Sequence, residues 1–166
     1  ENEAGMPSYL KNLPANASAV LVETVADSKE SLNNNINKIL DSVKHVETEV
    51  PVRFTDIPEE YAEYWNIRKG LFPSVGAMRD KGTTVIIEDV TFPMERLAEA
   101  TLDLQQLLRN FEYHNAVIYG HALEGNLHFV FSQKFSTKED IERYEKFMNA
   151  VVGLVVHKYD GALKAE

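Results

Sequence analysis

Residues 116–132 read AVIYGHALEGNLHFVFS. Apolar and β-branched residues stand on both sides of a short polar segment, so this stretch predicts two strands, at 116–121 and 127–132. The Gly125-Asn126 pair between them favours the backbone conformations of a tight turn. The stretch therefore predicts a β-hairpin, and a hairpin brings residues near its two strand ends close together in space.

Further elements are predicted on both sides of this hairpin. The segment 72–82, which contains two glycines and a proline, is predicted to be a loop. The last five elements, a strand, a helix, two strands and a helix, match most of a ferredoxin-like unit. The order favours an α+β fold with a largely antiparallel sheet and helices packed on one face. The remaining strands are expected at 17–24, 50–54 and 83–90, and the helices at 28–43, from 58 to 72, from 93 to 108 and from 136 to 159.

The composition limits what the chain can be. Its 166 residues suit a single domain, predicted at 17–166 after a flexible lead-in at 1–16. Cysteine is absent, which excludes disulfides, thiolate zinc sites and iron–sulfur ligands within these residues. The net charge of -9 argues against a broad nucleic-acid-binding face, because such faces cluster Lys and Arg. Neither a dinucleotide-binding glycine motif nor a Walker loop is found.

Two histidines, His121 and His128, bracket the predicted turn. In a hairpin both imidazoles could point at one ion, and a carboxylate would complete a site for Zn²⁺, Mn²⁺ or Fe²⁺. The spacing matches none of the common zinc motifs, so the spacing alone favours two solvated histidines beside a turn. Glu88-Asp89, at the end of strand 83–90, are interpreted either as ligands or as solvated acids, and solvated acids are favoured.

Two arginines are candidate anion-binding residues. Arg68 falls on the same helical face as Tyr61 and Trp65, where a guanidinium either reaches out to solvent or meets a carboxylate. An ordinary helix-end arginine is the alternative interpretation. Arg79 and Lys81 lie in the predicted loop and could cover an anionic ligand, although a solvated loop is the simpler interpretation.

Four segments together resemble a known family: WNIRKGLFPSVGAMR at 65–79, GTTVIIEDV at 82–90, GHALEGNLHF at 120–129 and KYDGALKAE at 158–166. They are similar to the C-terminal domain of FAD-linked oxidases. This is the flavoprotein family of D-lactate dehydrogenase, D-2-hydroxyglutarate dehydrogenase and the glycolate oxidase D subunit. The phrase FPSVGAMR is most similar to large bacterial members that are fused to an iron–sulfur region.

The resemblance implies a set of site residues. His121, His128 and Glu166 match the family's metal ligands, and Arg68 matches the arginine that holds the substrate carboxylate. Arg79 is a second candidate for substrate binding. The family's catalytic base is a histidine that would follow Glu166, so we expect no catalytic residue within this stretch and no turnover by the isolated chain.

The resemblance also implies an activity and its partners. The activity is the oxidation of a D-2-hydroxy acid to a 2-oxo acid, with hydride transfer to FAD bound mainly by a separate domain. The partners are that FAD-binding domain, the small acid substrate and a downstream electron acceptor. A divalent metal is implied, and iron–sulfur clusters are possible in the full-length protein. We expect a cytoplasmic location, or a peripheral one at the inner membrane face.

The substrate and one competing hypothesis stay open at this point. In the hydroxyglutarate branch, polar side chains hold the distal carboxylate, and the aligned positions here are Phe72, Ile87 and Val130. These apolar residues favour a short acid such as D-lactate, and the alternative is that Arg79 and Lys81 bind the distal carboxylate instead. The competing hypothesis is a non-catalytic α+β module whose sheet serves in binding or oligomerisation. The sequence predicts no oligomeric state.

Overall fold

The computed structural model describes residues 12–14 and 17–164, apart from four side chains at 72, 74, 75 and 78. The chain divides into two compact units, residues 1–69 and 70–166. Most of the predicted lead-in at 1–16 lies outside the described residues. Among the helices that are described, none is long and apolar enough to cross a membrane.

The first unit contains helix α1 (Lys29–Val43), whose N-terminus is capped by the Ser28 side chain, which accepts from the Ser31 backbone N–H at 3.1 Å. The strands predicted at 17–24 and 50–54 are wrong, because the described backbone there forms neither strand nor helix. A β-rich run becomes a strand only where a neighbouring strand pairs with it.

Helix α2 (Pro58–Met78) begins at the predicted proline and continues through Pro73. The loop predicted at 72–82 is therefore wrong in its first half, and only residues 79–83 separate the helix from the next strand. A proline removes one backbone donor from a helix interior, and the turns on both sides of Pro73 remain helical. The residues of α2 up to Lys69 belong to the first unit and the rest to the second.

The second unit is built around a four-stranded sheet. Every strand pair in it is antiparallel, and the strand order is β2-β3-β1-β4. This β-α-β-β-α-β arrangement is ferredoxin-like and confirms the predicted α+β fold. The elements are β1 (Thr84–Thr91), a 3₁₀ turn (Met94–Arg96), α3 (Leu97–Asn110), β2 (Val117–His121), a 3₁₀ turn (Ala122–Glu124), β3 (Asn126–Gln133), α4 (Lys138–Val152), a π-helix (Gly153–Lys158) and β4 (Ala162–Lys164).

Helices α3 and α4 cover one face of this sheet, as predicted. The N-terminus of α4 is fixed by a capping box, in which the side chains of Thr137 and Asp140 each accept a hydrogen bond from the backbone of the other. Alternate residues of β3 face the helices, since side chains alternate between the two faces of a strand. The buried core on this face includes Val90, Leu104, Leu108, Tyr113, Leu127, Phe129, Phe131, Phe147 and Val151.

Candidate functional site

The face of the sheet opposite α3 and α4, called the second face below, carries the candidate site. The strand register places its side chains in rows that run across all four strands. One row, from β4 to β2, consists of Lys164, Asp89, His128 and Tyr119. The next row consists of Ala162, Thr91, Asn126 and His121. The two candidate histidines therefore lie on neighbouring strands, in adjacent rows.

The two histidine rings are close but differ in exposure. Their ring centroids lie 5.9 Å apart, with the ring planes at 82°. The ring of Tyr119, also on β2, packs against His128 at 5.3 Å between centroids. The His128 side chain is 13% exposed, whereas His121 is exposed at the end of β2. His128 is thus held by its neighbours, and His121 stands at the solvent edge.

The turn between the histidines is tighter than the sequence predicted. Residues 122–124 form a 3₁₀ turn, Gly125 closes it in the left-handed conformation with φ 66°, and Asn126 already belongs to β3. The backbone N–H of Phe92 donates to the Gly125 carbonyl at 2.8 Å. A Cβ at Gly120 would lie 2.1 Å from the Asn126 carbonyl oxygen. Gly120 allows the two strands of the hairpin to pack closely, and Gly125 allows the turn to pack on Phe92, the residue after β1.

A buried carboxylate lies directly beside His128. Asp89 is only 7% exposed, and the side-chain amide of Asn126 donates to its Oδ1 and also to the Val90 carbonyl, the latter at 3.1 Å. The Nδ1 atom of His128 lies 3.4 Å from the same Oδ1. Oδ2 has no hydrogen-bond partner among the described residues, and the Lys164 Nζ lies 3.9 Å from it. The four polar side chains form one cluster.

The sequence interpretation of Glu88-Asp89 as solvated acids is wrong for Asp89. Glu88 points to the helix side of β1, where burial raises the pKa of its carboxyl and a hydrogen bond with Tyr144 acts in the opposite direction. Asp89 points to the second face and is buried. The apolar residues on both sides of the acid pair predict a strand, but they do not indicate which of the two acids is buried.

The other predicted site residues are placed as follows. Arg68 lies on α2 in the first unit and is half-buried. Arg79 lies in the second unit, where its guanidinium donates to the Gly76 carbonyl at 2.8 Å, at the end of α2. It lines a shallow polar cavity with Lys81 that none of the second-face residues borders. Glu166 lies outside the described residues.

The described residues define a class of domain. It is a ferredoxin-like α+β domain whose second face carries a histidine pair beside a buried carboxylate. Within the described part of the chain, no group of three His, Asp or Glu side chains is arranged to hold a metal ion. The histidine pair is therefore an incomplete ligand set on its own.

The comparison with protein families identifies the class further. The chain belongs to the family described as FAD linked oxidases, C-terminal domain, whose family model matches residues 3–166. No curated protein matches the chain. The family places the chain among FAD-linked oxidoreductases and confirms the resemblance seen in the four sequence segments. The D-lactate branch of that resemblance stays a prediction.

Proposed function

We propose that this domain supplies the substrate- and metal-binding site of an FAD-dependent D-2-hydroxy-acid dehydrogenase that acts on D-lactate or a similarly short acid. FAD is held mainly by another domain of the same protein. The family supports the flavin-linked oxidation, and the cluster on the second face supports the location of the site. The observation that carries the proposal is the pairing of His121 with His128 beside buried Asp89.

The donor set on the second face fits a transition metal. Two imidazoles within 5.9 Å of each other can reach one ion, because nitrogen ligands bind Zn²⁺ at about 2.0–2.1 Å. Glu166, two residues beyond Lys164, is proposed as the third ligand. Zn²⁺, Mn²⁺ and Fe²⁺ all accept histidine and carboxylate together. A bound divalent ion would lower the pKa of the substrate hydroxyl, as it does for water.

The substrate carboxylate is assigned to Arg68. A guanidinium can hold a carboxylate through two parallel hydrogen bonds, which fixes the orientation of the acid. Holding the acid in one orientation directs its C2–H bond to the flavin. Oxidation of the acid would remove a hydride from C2, which FAD would accept, and a proton from the hydroxyl. Arg79 is kept as a second candidate for binding the acid.

A short substrate is favoured by the row of the second face that adjoins His128. That row contains Ile87, Val130 and Val117, which pair across β1, β3 and β2. An apolar row suits the methyl group of D-lactate, whereas the second carboxylate of D-2-hydroxyglutarate would lose solvent there without gaining a partner. This observation supports D-lactate over the longer acid.

The proposal is tested on the intact flavoprotein. The oxidised protein is mixed without oxygen with D-lactate, D-2-hydroxyglutarate or glycolate, and flavin reduction is followed by absorbance. We expect the fastest reduction with D-lactate. If none of the three acids reduces the flavin, the dehydrogenase assignment fails and the non-catalytic module becomes the better hypothesis.

The role of the histidine pair is tested in the same assay. His128→Ala should slow flavin reduction by more than about 100-fold, beyond the loss typical of residues outside the ligand set. FAD content should stay unchanged, because FAD is proposed to lie mainly on another domain. His157→Ala, at an exposed position of the π-helix, is the matched control. Its flavin should be reduced at the wild-type rate. Equal rates for both variants contradict the metal role.

A further inference from the structure

We propose that Asp89 is a positioning residue that holds His128 in the tautomer whose Nε2 lone pair is free for a metal ion. The inference rests on the proposed function for the identity of the ligand that Nε2 would bind. The arrangement of the side chains comes from the second face itself. Its experiment includes a measurement made without metal, so the two proposals can fail separately.

The first step is to ask whether the buried Asp89 carboxylate has enough hydrogen-bond donors. An ionised carboxylate that is 7% exposed needs strong donors, because the loss of hydration is otherwise expensive. The Asn126 amide donates to Oδ1, but Oδ2 accepts no hydrogen bond from the part of the chain that the structure describes. The nearest cationic group is Lys164, at 3.9 Å, beyond hydrogen-bond distance. The carboxylate therefore has capacity for a further N–H donor.

The second step is the atom that faces this carboxylate. His128 approaches Asp89 through Nδ1, which lies 3.4 Å from Oδ1, slightly longer than an ordinary N–H···O hydrogen bond. A neutral imidazole carries one N–H and one lone pair, on different nitrogens. A carboxylate only accepts, so it selects the tautomer with the proton on Nδ1. The lone pair then stands on Nε2, on the far side of the ring.

The third step separates positioning from direct ligation. Asp89 forms no three-residue ligand group with the histidines among the described residues. Its Oδ1 is oriented by the Asn126 amide, which is itself anchored on the Val90 carbonyl at 3.1 Å. Carboxylates that accept from the second nitrogen of a metal-bound histidine fix its ring orientation and raise its basicity. Asn126 and Asp89 together thus fix the His128 ring.

The decisive measurement is the tautomer of His128 in the intact, metal-free protein. Nitrogen-15 NMR of histidine-labelled protein, at a pH where the ring is neutral, distinguishes the Nδ1–H from the Nε2–H form, and His128→Gln assigns the signal by its loss. We expect the Nδ1–H form in the wild type and loss of that preference in Asp89→Ala. An Nε2–H form in the wild type overturns the proposal.

Zinc affinity provides the second readout, measured by competition with a chromophoric chelator. Asp89→Ala should weaken Zn²⁺ binding by about 10- to 100-fold. Asp89→Asn keeps the oxygen that faces Nδ1 and loses the charge, so its loss should be smaller. This variant decides the question if Asp89→Ala does not fold, because an unchanged dissociation constant in Asp89→Asn contradicts the proposal.

A matched control excludes a general effect of removing a structural acid. Asp103→Asn neutralises an aspartate on α3 that bonds Lys158 and Tyr159, away from the second face. It should leave both the His128 tautomer and the Zn²⁺ dissociation constant unchanged. Equal losses of Zn²⁺ affinity in Asp103→Asn and Asp89→Asn contradict the positioning role of Asp89. If the wild type binds no Zn²⁺, the metal part of the proposed function fails, and the tautomer still decides the role of Asp89.

Discussion

At the scale of single residues, Gly125 determines whether the hairpin turn can form. Its φ of 66° is disfavoured for other residues, and an added Cβ would lie 2.1 Å from the Phe92 carbonyl oxygen. Backbone strain alone should lower the free energy of unfolding of Gly125→Ala by about 1–3 kcal/mol, and the steric clash should lower it further. Denaturant unfolding followed by circular dichroism measures the change.

Gly153→Ala is the matched control for this glycine substitution. Gly153 has a helical φ of -58°, and no described residue outside its own helix has an atom within 4 Å of an added Cβ. The alanine should leave stability unchanged or raise it by about 0.4–1 kcal/mol, because it restricts the unfolded chain. A comparable loss in both variants would show that the turn at Gly125 is not specially constrained.

The same scale shows what the sequence could and could not predict about the site. The pairing of His121 with His128 follows from a hairpin pattern, and the structure confirms that the two rings are close. The burial of Asp89 does not follow from any local pattern. It depends on Lys164 and β4 on one side and on Asn126 on the other, and these contacts join residues far apart in the chain.

At the scale of elements, a charged cluster ties α3 to the end of the π-helix. Both Lys158 Nζ and Tyr159 OH, the latter at 2.6 Å, donate to Oδ2 of Asp103. The hydrogen bond from Lys158, followed by that from Tyr159, holds the pKa of the Asp103 carboxyl below its ordinary value. The folded state thus binds this proton less tightly than the unfolded state does.

The sign of the pH effect follows from this lowered pKa. The contribution of Asp103 to stability is complete above its ordinary pKa of 3.8 and is lost as the pH falls through the lowered value. Between about pH 5 and the acid limit of folding, the urea midpoint of the wild type should fall more steeply than that of Asp103→Asn. Urea titrations at several pH values test this.

Asp41→Asn serves as the control for the acid titration. Asp41 is exposed on α1 and pairs with Lys44, 3.4 Å away at the end of that helix. Exposed pairs of this kind contribute little to stability. Its urea midpoint should follow the wild-type curve as the pH falls. If Asp103→Asn also follows that curve, the cluster does not stabilise the contact between α3 and the π-helix.

Helices with an apolar stripe over several turns were predicted well, whereas some strands, which depend on pairing with another strand, were not. Helices α1, α3 and α4 lie close to their predicted positions because their apolar stripes span several turns. The strand β4 was missed, since three residues carry no pattern, and it forms only by pairing with β1. The strand predicted at 17–24 was wrong for the converse reason: its residues have strand propensity, and no strand pairs with them in the described part of the chain.

At the scale of the whole molecule, a net charge of -9 repels an anionic substrate, so its recognition depends on local charge. The row next to His128 contains no charge, and this is our reason to favour a short acid. A cation placed in that row should change the selectivity. Ile87 is the suitable position because it is 48% exposed, whereas its partner Val130 is fully buried.

Ile87→Lys should raise kcat/KM for D-2-hydroxyglutarate relative to D-lactate by about 10-fold. That factor corresponds to about 1.4 kcal/mol. This is close to the lower end for a hydrogen bond to a charged group, because the half-exposed position leaves the ammonium partly solvated. Leu102→Lys adds the same charge at a 65% exposed position on α3 and should leave the ratio unchanged. If the two variants shift the ratio equally, net charge governs the preference. If neither shifts it, the distal end of the substrate does not lie on this row.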